Sequence, residues 1–222
     1  IVIELYAKQF GWEARYSGKD NVLGKANVRY IEGVNNLGVD LSDPNAQDDF
    51  TSQELHIPKG KRIVFKMRSQ DVLHSAYMPH FRAQMNCVPG MVTQFSFVPT
   101  VTTAEMREKP NMVEKVANIN AIRVKKSQEL VKNGKSALDP YTFDFLLLCN
   151  KICGTSHYNM QMKIVVDTPE DYKKWVADKQ TIVSSYAASK ASEAPAESAV
   201  PTAVDTTKTP KTEAMAAVTV NK

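Results

Sequence analysis

A chain of 222 residues that is 43% hydrophobic can build one ordinary domain with additions, or two small ones, around a real core. Its net charge of +4, with no Lys/Arg-rich run interleaved with aromatics, argues against a nucleic-acid partner. Three cysteines are too few, and odd in number, for a disulfide-stapled scaffold, and no apolar run reaches membrane-spanning length nor is a signal peptide visible.

The chain opens "IVIELYAKQF", without Met and already in strand-like alternation, as expected of a piece of a longer or matured protein. "FGWEARY" continues the extended pattern to Tyr16, and "SGKDNVLGK" carries turn chemistry. Residues 35–52, "NNLGVDLSDPNAQDDFTS", read as an acidic loop. "ELHIPKGKRIVFKMRS" returns to strand with Ile63, Phe65 and Met67 on one face, and "MVTQFSFV" places Thr93, Phe95 and Phe97 on one side. Residues 102–134 break the pattern: Val113, Val116, Ile119, Ile122 and Val124 recur at helical spacing, and Asn133-Gly134 is a stop signal. "YTFDFLLLC" and "MQMKIVVD" are the last two strands. In "DTPEDYKKWVADKQ" Thr168 can cap a helix, Pro169 suits its first position, and Tyr172, Trp175 and Val176 give it an apolar face. The composition from 182 to 222, rich in Ala, Ser, Thr, Pro and Lys, predicts a disordered tail. The fold class is therefore all-β, a sandwich or barrel over 1–181 with a helical insertion and a C-terminal helix.

Between the last two strands lies "CNKICGTSHYNM", which holds Cys149, Cys153, His157 and Met160. They could share one helical face as a buried stripe, but Gly154, Thr155 and Ser156 make a poor helix. A Cys149–Cys153 disulfide would leave His157 and Met160 unexplained. Metal binding explains all of them. Thiolate, imidazole and thioether together select soft or borderline ions, copper above all, whereas zinc has little use for a thioether. A further imidazole has to come from upstream: His56 opens a strand and reads as surface, His74 lies in the polar turn "SQDVLHSAYMP", and His80 follows it. A mononuclear blue-copper site needs a single Cys, so the second thiolate points to two copper ions sharing the sulfurs. One electron spread over two metals and several sulfurs disturbs ligands and water little, which suits fast electron transfer.

These residues, with "DVLHSAYMP" and "CVPG" upstream, resemble subunit II of haem-copper cytochrome c oxidases, over most of residues 1–180. The resemblance implies a cupredoxin-like Greek-key barrel carrying the dinuclear copper centre CuA. It implies as ligands His74, Cys149, Cys153, His157, Met160 and the backbone carbonyl of Lys151. The implied partners are oxidase subunit I, which receives the electrons at haem, and a cytochrome c that supplies them. N-terminal membrane helices in the parent protein would hold the domain on the outer side of an energy-transducing membrane. Lys151 stands where the family usually has Glu, whose carboxylate helps hold magnesium or manganese against subunit I, so that site is in doubt here. Met91 replaces the usual Arg, and Gln70 a Glu before Asp71. "KQFGWEARY" matches the family's aromatic segment near CuA, with Phe10 where the electron-accepting Trp usually stands; Trp12 is then a buried core aromatic or part of the electron-input path.

Asp40, Asp43, Asp48, Asp49 and Glu54 offer an acidic face for a cationic cytochrome, or a solvated loop. Cys87 reads as a small buried residue. Three other classes compete: the similar copper loop of nitrous oxide reductase, a copper chaperone using Cys-x3-Cys, and a zinc-bound structural β domain. The late position of the cysteine pair between strands disfavours the chaperone, and Met160 disfavours zinc. No Cys-x-x-Cys-His occurs, so no c-type haem is fused to this chain.

Overall fold

The computed structural model describes residues 1–193. They form ten strands: β1 Val2–Lys8, β2 Gly11–Tyr16, β3 Phe50–Ser52, β4 Leu55–Pro58, β5 Ile63–Ser69, β6 His74–Met78, β7 Ala83–Cys87, β8 Thr93–Phe97, β9 Phe145–Cys149 and β10 Gln161–Asp167. The strands make two five-stranded sheets, ordered β3-β2-β1-β5-β8 and β4-β10-β9-β6-β7. This is the cupredoxin-like sandwich expected from the sequence. Ile63, Phe65 and Met67 of β5 point into the space between the sheets, as do Ile3, Leu5 and Ala7 of β1 and Leu147 and Ile164 of β9 and β10. Alternation at period two is what sends those side chains to one face.

The first strand prediction needs a correction. Residues 1–16 are not one extended run but an antiparallel hairpin, with Ile3 opposite Tyr16 and Lys8 opposite Gly11. Apolar residues are odd-numbered in the first arm (Ile3, Leu5, Ala7) and even-numbered in the second (Trp12, Ala14, Tyr16), and that change of phase falls at the turn, residues 9–10. β1 also pairs in parallel with β5 and is buried on both faces. Its second face lies under the 24–49 loop, where Tyr6 packs with Leu37, Val39, Ala46 and Ile182.

Two helices form the insertion, α1 Thr103–Glu108 and α2 Pro110–Lys132. Thr102 and Glu105 close a reciprocal capping box at the start, and Asn133 caps the end. Only part of the predicted stripe docks: Val116 packs against the core and Ile119 is half-buried. Met112 is buried, but Val113, Ile122 and Val124 are exposed. Asn120, Arg123 and Ser127 instead bond the backbone of the returning segment at Tyr141, Asp139 and Leu138. That segment has no strand partner for its polar groups, and the helix's polar side chains satisfy them.

α3, Pro169–Ala177, starts as predicted: Thr168 accepts from the Asp171 amide, and Trp175 packs against Tyr16, Phe50 and His56. The predicted tail is corrected at its beginning. Ile182–Glu193 form a helix, α4, anchored by the Ile182 amide on the Asp49 carbonyl at 2.8 Å and by Tyr186 and Lys190 on Glu32. Ala and Ser sustain a helix once such contacts hold one end. The rest of the predicted tail, 194–222, lies outside the described residues. Among the described residues no helix is long and apolar enough to cross a membrane.

Candidate metal centre

The β1–β2 turn (9–10) and the connections β5–β6 (70–73), β7–β8 (88–92) and β9–β10 (150–160) come together at one end of the sandwich. The last of these is the cysteine loop. Its ends are tied by the Cys149 amide on the Met160 carbonyl (3.0 Å), and its first residue is held to β6 by the Asn150 amide on the Ser75 carbonyl (3.1 Å). In its middle Gly154 sits at φ +140°, a conformation that favours glycine. Phe10 and the Gln9 side chain close over this glycine so tightly that a Cβ there would come within 2.8 Å of the Phe10 ring. The Gln9 amide donates to the Cys153 carbonyl.

The structure brings all the predicted ligand residues together. His74 is the first residue of β6 and fully buried, rather than part of a polar turn. Its Nδ1 is 3.8 Å from the Cys149 sulfur, which is 3.8 Å from the Cys153 sulfur. The Cys153 sulfur in turn is 3.5 Å from His157 Nδ1 and 3.8 Å from the Met160 sulfur. The Cys149 thiol donates to the Lys151 carbonyl at 3.2 Å. No disulfide joins the two thiols. One donor atom from each of His74, Cys149 and Cys153 fits within 4.8 Å of the others. This donor set has the chemistry of a soft-metal site with two sulfurs at its centre, so the residues fit copper.

Asp71 supports the site from behind. Its Oδ1 meets His74 Nε2 at 2.8 Å, and its Oδ2 accepts from the Gln9 amide at 2.7 Å. His74 Nε2–H donates to the carboxylate, which leaves the Nδ1 lone pair toward the sulfurs. Burial works to raise the Asp71 carboxyl, but the hydrogen bonds from His74, Gln9 and Val72 outweigh it and hold it below the usual range. Burial, then the neighbouring Cys149 sulfur, pushes the Cys153 thiol up to about 11. A metal that binds there has to displace a firmly held proton.

Cys87 is buried as expected, opposite His74 on the paired strand, and burial pushes its thiol up to about 12. Trp12 takes the core position, 3% exposed, with its ring edge-on to His74 at 6.3 Å. His56 is half-buried rather than on the surface, stacked on Trp175 and bonded to Asp167 at 2.7 Å. It belongs to the packing of α3. His80 is exposed and sits edge-on to Phe143 and Phe145. The acidic face also needs correcting. Asp49 is fully buried on Arg15 (2.8 Å), Asp43 is buried as a cap, and Asp48 accepts from the amides of Lys19 and Asp20. The sequence reading missed Gly154 as the seat of Phe10; a glycine directly after a ligand cysteine was the signal for a close approach.

Residues 1–105, which include His74, match the family model described as cytochrome c oxidase subunit II, periplasmic domain. The "alternative cytochrome c oxidase subunit 2" of Bradyrhizobium diazoefficiens is 34% identical over 181 residues, 81% of this chain and 51% of that protein. The chain is a relative of cytochrome c oxidase subunit II. The cytochrome c oxidase subunit 2 of Mycobacterium tuberculosis is 25% identical over 79% of this chain and 47% of its own length. The chain thus spans about half the length of these curated relatives. Among solved structures, the periplasmic domain of subunit II of cytochrome oxidase from Bradyrhizobium japonicum aligns at 17% identity with a TM-score of 0.43, over 80% of this chain and 91% of that one.

Proposed function

We propose that this chain is the electron-receiving domain of a respiratory terminal oxidase. In this reading His74, Cys149, Cys153, His157, Met160 and the Lys151 carbonyl would hold two copper ions. When bound, a copper pair would supply a one-electron redox couple, which suits a domain standing between a cytochrome c and the haem of subunit I, where oxygen is reduced to water. The observation that carries the reading is the convergence of two reduced thiols, two imidazoles, a thioether and a carbonyl on one loop and one strand end.

The chain's own residues have separable tasks. Asp71 orients the His74 ring. Gln9 fixes the Cys153 carbonyl, and with it the turn of the loop. Phe10, seated on Gly154, the residue after Cys153, is assigned to electron input. Trp12 stays with His74 in the interior. Lys151 brings an ammonium where a divalent ion would need a carboxylate, so no magnesium or manganese site is proposed. Membrane anchorage by a segment preceding residue 1, with this domain on the outer side, belongs to the same proposal.

The test is copper content together with the electron paramagnetic resonance spectrum of the partly oxidised chain. Two coppers per chain, with hyperfine structure from two equivalent nuclei, is the expected result. One copper with a single-nucleus pattern, or zinc in its place, would overturn the assignment.

A further inference from the structure

The helical insertion carries an open apolar groove. Val124 and Val131 of α2 face Ala137, Leu138 and Pro140 of the returning segment across a cleft of about 590 Å³. Val113, Val124 and Val131 are 52%, 58% and 57% exposed. At 3.6 residues per turn all three fall on one line of the helix. Helix propensity gives no reason for an exposed row of valines, whereas a packing partner does. Met112, in the first turn, is the one buried residue of α2. The groove also lies away from the cysteine loop: the segment that lines it leads into β9 at Phe145, and the strand reaches the loop at Cys149.

Charge is gathered around this groove. From Lys109, the cap of α2, to Asp139 there are seven basic and three acidic side chains, so this stretch alone carries a balance of +4, the same as the whole chain. Arg123 and Lys132 line the groove. Arg123 donates to the Asp139 carbonyl, while Lys125, Lys126, Lys132 and Lys135 make no ion pair among the described residues. An apolar floor with an unpaired cationic rim is complementary to apolar side chains flanked by carboxylates.

We infer that the groove receives a protein segment of a neighbouring subunit, apolar along one side and flanked by Asp or Glu. From Asn120 to Lys132 it is about 18 Å long at 1.5 Å per residue, room for about three turns of a helix. A contact that short holds a free peptide weakly and suits a segment tethered in the same assembly, where its effective concentration is high. That the assembly is an oxidase rests on the function proposed above; the groove and its charge do not. An anionic membrane surface is the rival occupant. Helices that lie on a membrane present Trp, Phe or Leu on a convex face, and here the face holds valines and is concave.

The experiment places the photo-crosslinker p-benzoylphenylalanine at Val124 of the full-length protein in its own membranes, and at Asn118, exposed on another side of α2, as the control. Adducts are identified by mass spectrometry of the crosslinked peptides. Val124 is expected to give an adduct with one segment of a different subunit, with Asp or Glu beside its apolar residues, and Asn118 is not. Lys125 and Lys132 are seven residues apart on one side of the helix and both exposed, so Lys125→Glu with Lys132→Glu leaves the fold alone. That pair of changes is expected to lower the adduct yield about tenfold, and exchanging the acids of the identified segment for lysine is expected to restore it. Adducts with lipid alone, with residues 194–222, with a second copy or with a segment lacking acids would each overturn the assignment. So would a yield that ignores the charge reversal, or one no higher at Val124 than at Asn118. Copper content is read on the same samples: fewer than two coppers with the adduct intact counts against the proposed function and not against the groove.

Discussion

Replacing Gly154 by alanine tests whether the turn of the cysteine loop and the seat of Phe10 are one structural unit. The new Cβ would lie 2.8 Å from Gln9 Nε2, 2.8 Å from Phe10 Cζ and 2.9 Å from Phe10 Cε1, while the backbone would be held at φ +140°. That backbone conformation costs about 1–3 kcal/mol for a residue with a side chain. Moving the ring and amide aside adds about 1–3 kcal/mol of overpacking. If the Gln9 amide is pushed off the Cys153 carbonyl, a hydrogen bond of about 1 kcal/mol goes too. Because the loop can relax partway, the losses overlap, and a net destabilisation of roughly 2–4 kcal/mol is expected. Urea unfolding of the metal-free chain, followed by tryptophan fluorescence, measures this directly. The copper-loaded variant should also show an altered absorption spectrum, since the residue before Gly154 is Cys153. A loss below about 1 kcal/mol with an unchanged spectrum would refute the reasoning, because the loop would then not depend on this contact.

Asp71→Asn weakens the orienting hydrogen bond on His74 and should lower copper affinity by about 10- to 100-fold, read by competition with a chelator; an unchanged affinity would remove Asp71 from the site. Met160→Leu conserves volume in a buried position, so the chain should fold within about 1.5 kcal/mol of the parent and still take up copper, with a changed spectrum. Arg15→Met strips the partner from Asp49 and one donor from Glu4, and should cost about 3–5 kcal/mol at neutral pH in urea unfolding. Burial, opposed by Arg15 and the Gly24 amide, already pushes Asp49 up to about 6. The folded state therefore holds this proton more tightly than the unfolded chain: the group's contribution is full below the unfolded value of 3.8 and is lost as pH rises through about 6. Without Arg15 that loss should be larger, so the deficit of the variant should shrink between pH 7 and 5. A deficit independent of pH would count against Asp49 as its source.

Much of the centre was legible because its chemistry is local. Cys149, Cys153, His157 and Met160 lie on one short loop, and few demands other than a metal put those side chains so close together. His74 was harder to choose over His56 and His80, since only the pairing of β6 with β9 brings it near and pairing partners leave no mark on one strand. The hairpin at residues 9–10 did leave a mark, a change of phase in the apolar alternation between Ala7 and Phe10, which reading both arms as one extended run passed over. In α2 apolar periodicity found only part of the docked face, Val116 and Ile119, because the helix also docks on irregular backbone and spends Asn120, Arg123 and Ser127 on its polar groups. The acidic loop misled in the same way. Asp49 looked solvated but answers a buried arginine, and neither partner announces the other across 34 residues. α4 was missed because low complexity says how little a segment can bury, not whether Asp49 and Glu32 will hold one end of it.

The separation of His74 from the cysteine loop, 75 residues along the chain, bears on how the protein is assembled. The loop's donors are neighbours in the chain, but the last imidazole arrives only when β6 docks beside β9. The complete donor set therefore exists only in the folded sandwich, where β6 brings His74 to the loop. At that stage the thiols stand 3.8 Å apart, close enough for an oxidant to join them with a modest movement. Under the proposed reading, with copper as the metal and the domain on the outer side of a membrane, maturation would be a contest between copper delivery and disulfide formation, set by whatever keeps the two sulfurs reduced until the metal arrives.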